Sequence, residues 1–218
     1  MTKILIIGAT GMTGKSLVAE ALSNGFSVVA NGRNKEKLNA LKSEFSGIEV
    51  FNKDAFDLVK TDFEGIDVII DAFATSPDQA YLQIDLAAHL IALLRNTTIR
   101  IGFILGAGSL YTDESKTQLT NDLIASDEST KPWRATPENQ VYELEFLRHV
   151  KNVNWFGVSP GSNYIPGKKA DNILVGNDVL LVNEQNVSVT TADTMAFKVI
   201  EEIKNNNHNQ TRFTVANG

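Results

Sequence analysis

Gly8, Gly11 and Gly14 follow the apolar run Ile4-Leu5-Ile6-Ile7 in the spacing G-x-x-G-x-x-G. The run reads as a buried strand, and Leu17, Val18, Ala21 and Leu22 after it fall on one face of a helix. A strand that enters a glycine turn and leaves it as a helix is built to hold a pyrophosphate. Gly8 makes the tight turn, Gly11 lets the backbone approach the phosphates, and Gly14 lets the helix pack against the strand. Thr10, Met12 and Thr13 complete the loop, and the helix start offers free N–H groups and the positive end of its dipole.

The next informative residues are Ala30-Asn31-Gly32-Arg33-Asn34-Lys35. In a site of this kind an acidic residue at the end of the second strand binds the ribose 2′-hydroxyl of NAD. No carboxylate stands here, and the planar fork of Arg33 suits a 2′-phosphate, so NADP(H) is expected over NAD(H). Asp54 and Ala55, after the third strand, are candidates for the adenine edge. Phe73 and Ala74 follow the fourth strand, Ser109 the fifth, and Ser159 and Pro160 the sixth. All sit at strand carboxyl ends, where open α/β sheets place ligands. Ser109 is the expected catalytic residue, orienting the nicotinamide or donating a hydrogen bond to the acceptor. Tyr111, Trp133 and Tyr164 are expected to form an apolar wall for a flat substrate.

The elements that must position these residues alternate. Strands are expected at Lys3–Ile7, Ser27–Ala30, Ile48–Phe51, Ile66–Ala72, Arg100–Leu105 and Asn154–Val158, with helices at Lys35–Phe45, Asp78–Arg95 and Pro137–Val150 between them. This rhythm implies an α/β, Rossmann-type doubly wound, mostly parallel sheet with helices on both faces. Ile173-Leu174-Val175 and Val179-Leu180-Leu181-Val182 flank Gly176-Asn177-Asp178 and read as a hairpin. The expected organisation is one domain over residues 1–218, with 159–190 as a small substrate-side appendage. A helix at Thr190–Lys204 and a strand at Arg212–Val215 close the chain, and the polar stretch Thr112–Thr136 reads as an irregular connection or lid.

Composition narrows the classes. A chain of 218 residues can bury a sizeable core, and its net charge of −6 argues against a nucleic-acid surface. The absence of cysteine rules out disulfides and thiolate metal sites. His89, His149 and His208 are scattered, so no metal is expected. His89, in an apolar helix, could instead mark a subunit contact. Glu138, Glu143, Glu145 and Arg148 read as a solvated helix face, and Asp193 as a cap or support of the last helix. No apolar run approaches a membrane span, which gives a cytoplasmic monomer or homodimer acting on a small molecule as the expectation.

Gly8-Ala9-Thr10-Gly11-Met12-Thr13-Gly14, Gly32-Arg33-Asn34, Gly106-Ala107-Gly108-Ser109-Leu110, Ser159-Pro160 and Thr191-Ala192-Asp193 together resemble the atypical short-chain dehydrogenase/reductase superfamily. Within it the chain is most similar to the NADH-flavin reductase branch, related to the flavin reductase type of biliverdin reductase, over nearly its whole length. The resemblance implies a Rossmann fold and a nicotinamide cofactor. One departure bears on the substrate. The superfamily's Tyr-x-x-x-Lys is missing from the helix after the fifth strand, where Tyr142 is followed by Phe146. Tyr164 and Lys168 have the spacing, but Pro166 and Gly167 break any helix between them. A simple ketone would lack its proton donor, whereas a flavin, a quinone or a linear tetrapyrrole spreads the incoming charge. The expected activity is therefore hydride transfer from NADPH to a conjugated acceptor such as a flavin or quinone. A non-catalytic NADP(H) sensor or regulator is the alternative. A sugar-nucleotide epimerase would need a longer substrate domain and a further proton-transfer residue.

Overall fold

A computed structural model describes all residues from Met1 to Gly218. Strand β1 (Lys3–Ile7) alternates its side chains between two cores. Ile4 and Ile6 enter one cluster with Val28 and Ala30, while Leu5 and Ile7 enter the other with Val29 and Ile69. This near-continuous apolar run is what a strand covered on both faces requires. Helices α1 (Met12–Ser23), α2 (Lys35–Glu44) and α6 (Ala192–Asn205) cover the first cluster. Helices α3 (Leu82–Leu94) and α5 (Ala135–Arg148) cover the second.

The central sheet has eight strands in the order β3-β2-β1-β4-β5-β6-β10-β8. Its other strands are β2 (Ser27–Gly32), β3 (Glu49–Asn52), β4 (Val68–Asp71), β5 (Arg100–Ile104), β6 (Asn154–Ser159), β8 (Ile173–Gly176) and β10 (Thr211–Asn217). All neighbours are parallel except β8, which runs antiparallel to β10. Strand order reverses beside β1, so β1 and β4 carry the topological switch point where such sheets bind ligands. A second, two-stranded sheet joins β7 (Asn163–Ile165) to β9 (Val189–Thr191).

Three expectations need correction. The hairpin does not form: Val175 pairs with Val215 of β10, and Val179 instead bridges to Tyr111. The Tyr111 N–H donates to the Asp178 carbonyl at 2.8 Å and the Leu180 N–H to the Tyr111 carbonyl at 2.9 Å, which draws residues 178–180 across to the loop after β5. The stretch 112–136 is folded, with helix α4 (Thr120–Ser126) anchored by the Thr120 N–H on the Leu110 carbonyl. Helix α3 starts at Leu82 because residues Pro77–Gln79 form a separate 3-10 turn.

Candidate active site

The loop between β1 and α1 closes through a hydrogen bond from the Gly11 N–H to the Gly8 carbonyl at 2.9 Å, and α1 begins at once, with the Lys15 N–H on the Gly11 carbonyl. Gly8 has φ +72°, and a Cβ there would lie 2.5 Å from the Ala72 carbonyl oxygen. A Cβ at Gly14 would run into the Gly8 carbonyl, so its absence seats the helix on the turn. The first N–H groups of α1 lack intrahelical partners and have no side-chain cap, which leaves them free for an anion.

A groove of about 290 Å³ opens over this turn. Gly8, Thr10 and Gly11 form one wall, Arg33, Asn34 and Lys37 a second, Asp54 and Ala55 a third, and Ala72, Phe73 and Ala74 the fourth. Most of the cofactor residues expected from the sequence thus converge on one cavity. Met12, Thr13, Gly14, Ser159 and Pro160 do not line it. Thr13 instead bonds Tyr164 at 2.7 Å, and Ser159 is fully buried, its hydroxyl accepting from Arg212 at 2.9 Å. The Asp54 carboxylate accepts from the Phe56 N–H, capping the short turn after β3.

Arg33 and Lys37 carry no ion pair, and both are exposed at the groove. Lys53 also lines it but is paired with Asp62 at 2.7 Å. The lysines were not singled out by sequence, since neither differs there from an ordinary surface residue. Their convergence depends on β2 and β3 lying side by side.

Ser109 is only 5% exposed. Its hydroxyl accepts from the Arg212 guanidinium at 3.2 Å, and Arg212 is itself held by Asp178 at 2.5 Å. Ser109 thereby pins the loop after β5 onto β10. The expected apolar wall does not assemble along the groove. Tyr164 packs against the first core and turns its hydroxyl to Thr13, where burial pushes it up to about 12. Tyr111 is tied to residues 178–180, and Trp133 is 46% exposed. His89 is satisfied within the chain, 2.9 Å from the Leu58 carbonyl. Asp193, in the first turn of α6, accepts from Ser16 of α1 at 2.7 Å, the supporting role expected of it.

Beside the groove, behind Phe73, lies a second and much smaller cavity of about 10 Å³, room for one water. Asp71 at the end of β4, Gln83 of α3, Ile104 of β5, and Gln140 and Glu143 of α5 line it. Phe73 lines both spaces and meets Phe56 edge-on with ring centroids 5.9 Å apart. Here the solvated-face reading of α5 needs correction. Glu145 and Arg148 do face outward as a pair, but Glu143 is buried beside Leu144. The spacing of Gln140, Glu143, Leu144 and Leu147 was the available signal, because it marks one helical stripe toward the sheet. Burial pushes the Asp71 carboxyl up to about 6, although it accepts from the Phe73 N–H at 3.0 Å. Burial, together with the charge on Asp71, raises Glu143 well above the carboxylate range.

A doubly wound sheet with a glycine turn and an open groove at its switch point defines a dinucleotide-binding protein of the Rossmann type. A family model described as NAD(P)H-binding matches residues 8–188, and the chain belongs to this family. It is 31% identical over 215 residues to YwnB of Bacillus subtilis, an uncharacterized protein, covering 98% of this chain and 97% of that one. A Lactobacillus casei protein of solved structure superposes with a TM-score of 0.89 at 32% identity over all of both chains. A Streptococcus pneumoniae protein described as a putative NADH-flavin reductase does so with a TM-score of 0.89 at 30% identity, again over all of both.

Proposed function

We propose that the protein is an NADPH-dependent reductase that passes hydride to a flat, conjugated acceptor such as a flavin or quinone. The observation that carries the cofactor choice is the pair of unpaired cations, Arg33 just after β2 and Lys37 in the first turn of α2, with no carboxylate at the end of β2 to take a ribose 2′-hydroxyl. The reductase assignment of the Streptococcus relative supports the reaction class. The dihydronicotinamide, when bound, supplies the two electrons.

The chain's own residues bind and orient. Backbone N–H groups at the start of α1 face the pyrophosphate, Arg33 and Lys37 meet the 2′-phosphate, and Ala72, Phe73 and Ala74 shape the floor beyond. Ser109, fixed by Arg212, orders the loop that borders the acceptor. No tyrosine and lysine stand one turn apart on α5, which favours an acceptor that delocalises incoming charge.

Anaerobic oxidation of NADPH with FMN, followed optically beside NADH, tests this reading. Arg33→Ala is expected to weaken NADPH binding by about 10- to 100-fold, the worth of a charge-assisted bond, and NADH binding little. Equal losses for the two would overturn the NADPH assignment. Tight binding with no oxidation of NADPH by FMN or a quinone would make the protein a cofactor sensor.

A further inference from the structure

We propose that Asp71 and Glu143 share one proton across the small cavity behind Phe73, and that this pair supplies the proton the reduced acceptor needs. The proposal rests on the reductase reading. Three observations in the geometry carry it.

First, two carboxyl groups, each about 95% buried, line a space with room for a single water. Second, no cation compensates them. Gln83 of α3 is neutral, and His89 of the same helix turns away to Leu58. Arg148 of α5 faces Glu145 and Asp178, and Arg100 of β5 sits at the far end of its strand with Glu202. Asp78 and Asp85 are exposed, as is Glu145. Two buried carboxylates without a counter-ion do not both ionise. Third, Gln83 lines this cavity and its buried Oε1 has no hydrogen-bond partner, so it calls for a donor such as water or a protonated carboxyl. The Gln140 amide lies against Gly106, in space that a side chain there would occupy.

The position suits delivery. Asp71 ends β4 two residues before Phe73, whose ring lines both the small cavity and the cofactor groove. The acceptor gains two electrons and one hydrogen as hydride, while NADPH is oxidised to NADP⁺. The acceptor anion then takes its second hydrogen as a proton, relayed from the pair through the cavity water. Solvent returns a proton to the pair, which acts through that water and does not itself touch the acceptor.

Glu143→Gln tests this with two readouts, because a glutamine keeps the shape of a protonated glutamate but releases no proton. In the cofactor-free protein near neutral pH, the infrared carbonyl band of a protonated carboxyl is expected in the wild type and absent from the variant. With NADPH and FMN, kcat of the wild type should fall on an alkaline limb as the pair loses its last proton. The variant should show no such limb and a kcat lower by about 100-fold, with KM for NADPH unchanged and an intact thermal transition. Absence of the band in the wild type would overturn the shared proton. A band with an unmoved pH profile would overturn delivery alone. Absence of NADPH oxidation by the wild type with any acceptor would overturn the reductase reading and this proposal together.

Discussion

Two clusters at opposite ends of the central sheet handle buried charge in opposite ways. At the amino ends of the strands, Arg100 donates to the Glu202 carboxylate at 2.5 Å and to the His208 carbonyl at 2.6 Å, while the His208 ring meets Glu202 at 2.6 Å. The guanidinium lies over the Phe156 ring at 4.4 Å. Although burial alone would raise Glu202, the bonds from Arg100 and His208 hold its carboxyl below the ordinary range. At the carboxyl ends, Asp71 and Glu143 are equally buried and have no cation. A buried charge stripped of its partner is costly, so the first cluster ties the fold together and the second is retained against stability. The uncompensated acids lie at the end where this sheet opens toward its ligand.

The sharpest way to break this contrast is Glu202→Ala. It leaves Arg100 buried and unpaired, and is expected to cost about 3–5 kcal/mol in chemical denaturation while sparing NADPH affinity. A loss under about 1 kcal/mol would erase the distinction between the two ends. Asp71→Asn should do the reverse. Because burial raises the Asp71 carboxyl to about 6, the native state holds this proton more tightly than the unfolded chain does. Its contribution is complete below the unfolded value and is lost as pH rises through 6. The variant should therefore gain on the order of 3 kcal/mol relative to wild type between about pH 4 and pH 8. Glu202, whose carboxyl is depressed, has the opposite sign and loses stability as pH falls. The smallest effect is expected for Tyr164→Phe. Removing its bond to Thr13 should cost about 1 kcal/mol in thermal unfolding and leave the pH dependence of both ends unchanged.

The sequence disclosed the parts of this molecule that local pattern controls. Ile4 to Gly14 specify strand, turn and helix within one short window, and the groove forms over them. Arg33 was legible because the residue at the end of β2 has a fixed neighbour in this fold. Pairings between distant segments were not. Gly176-Asn177-Asp178 has the composition of a hairpin turn, yet β8 finds β10, which follows it in the chain by more than thirty residues. Glu143 was misread because a charged residue on a helix defaults to solvent, and only the packing of α5 against α3 shows otherwise. Leu123 and Ile124 alone gave no periodicity for α4.

The insertion of β10 between β6 and β8 also sets the far edge of the sheet apart from the cofactor turn. The six strands from β3 to β6 are contiguous in the sheet and precede β7 in the chain, so the whole cofactor groove can close before residue 160 has been passed. β8 pairs with β10 alone, and β10 is the last strand of the chain. Segment 173–176 is therefore an edge strand held by a single neighbour. Unfolding that begins there strips an edge strand without disturbing the turn at Gly8.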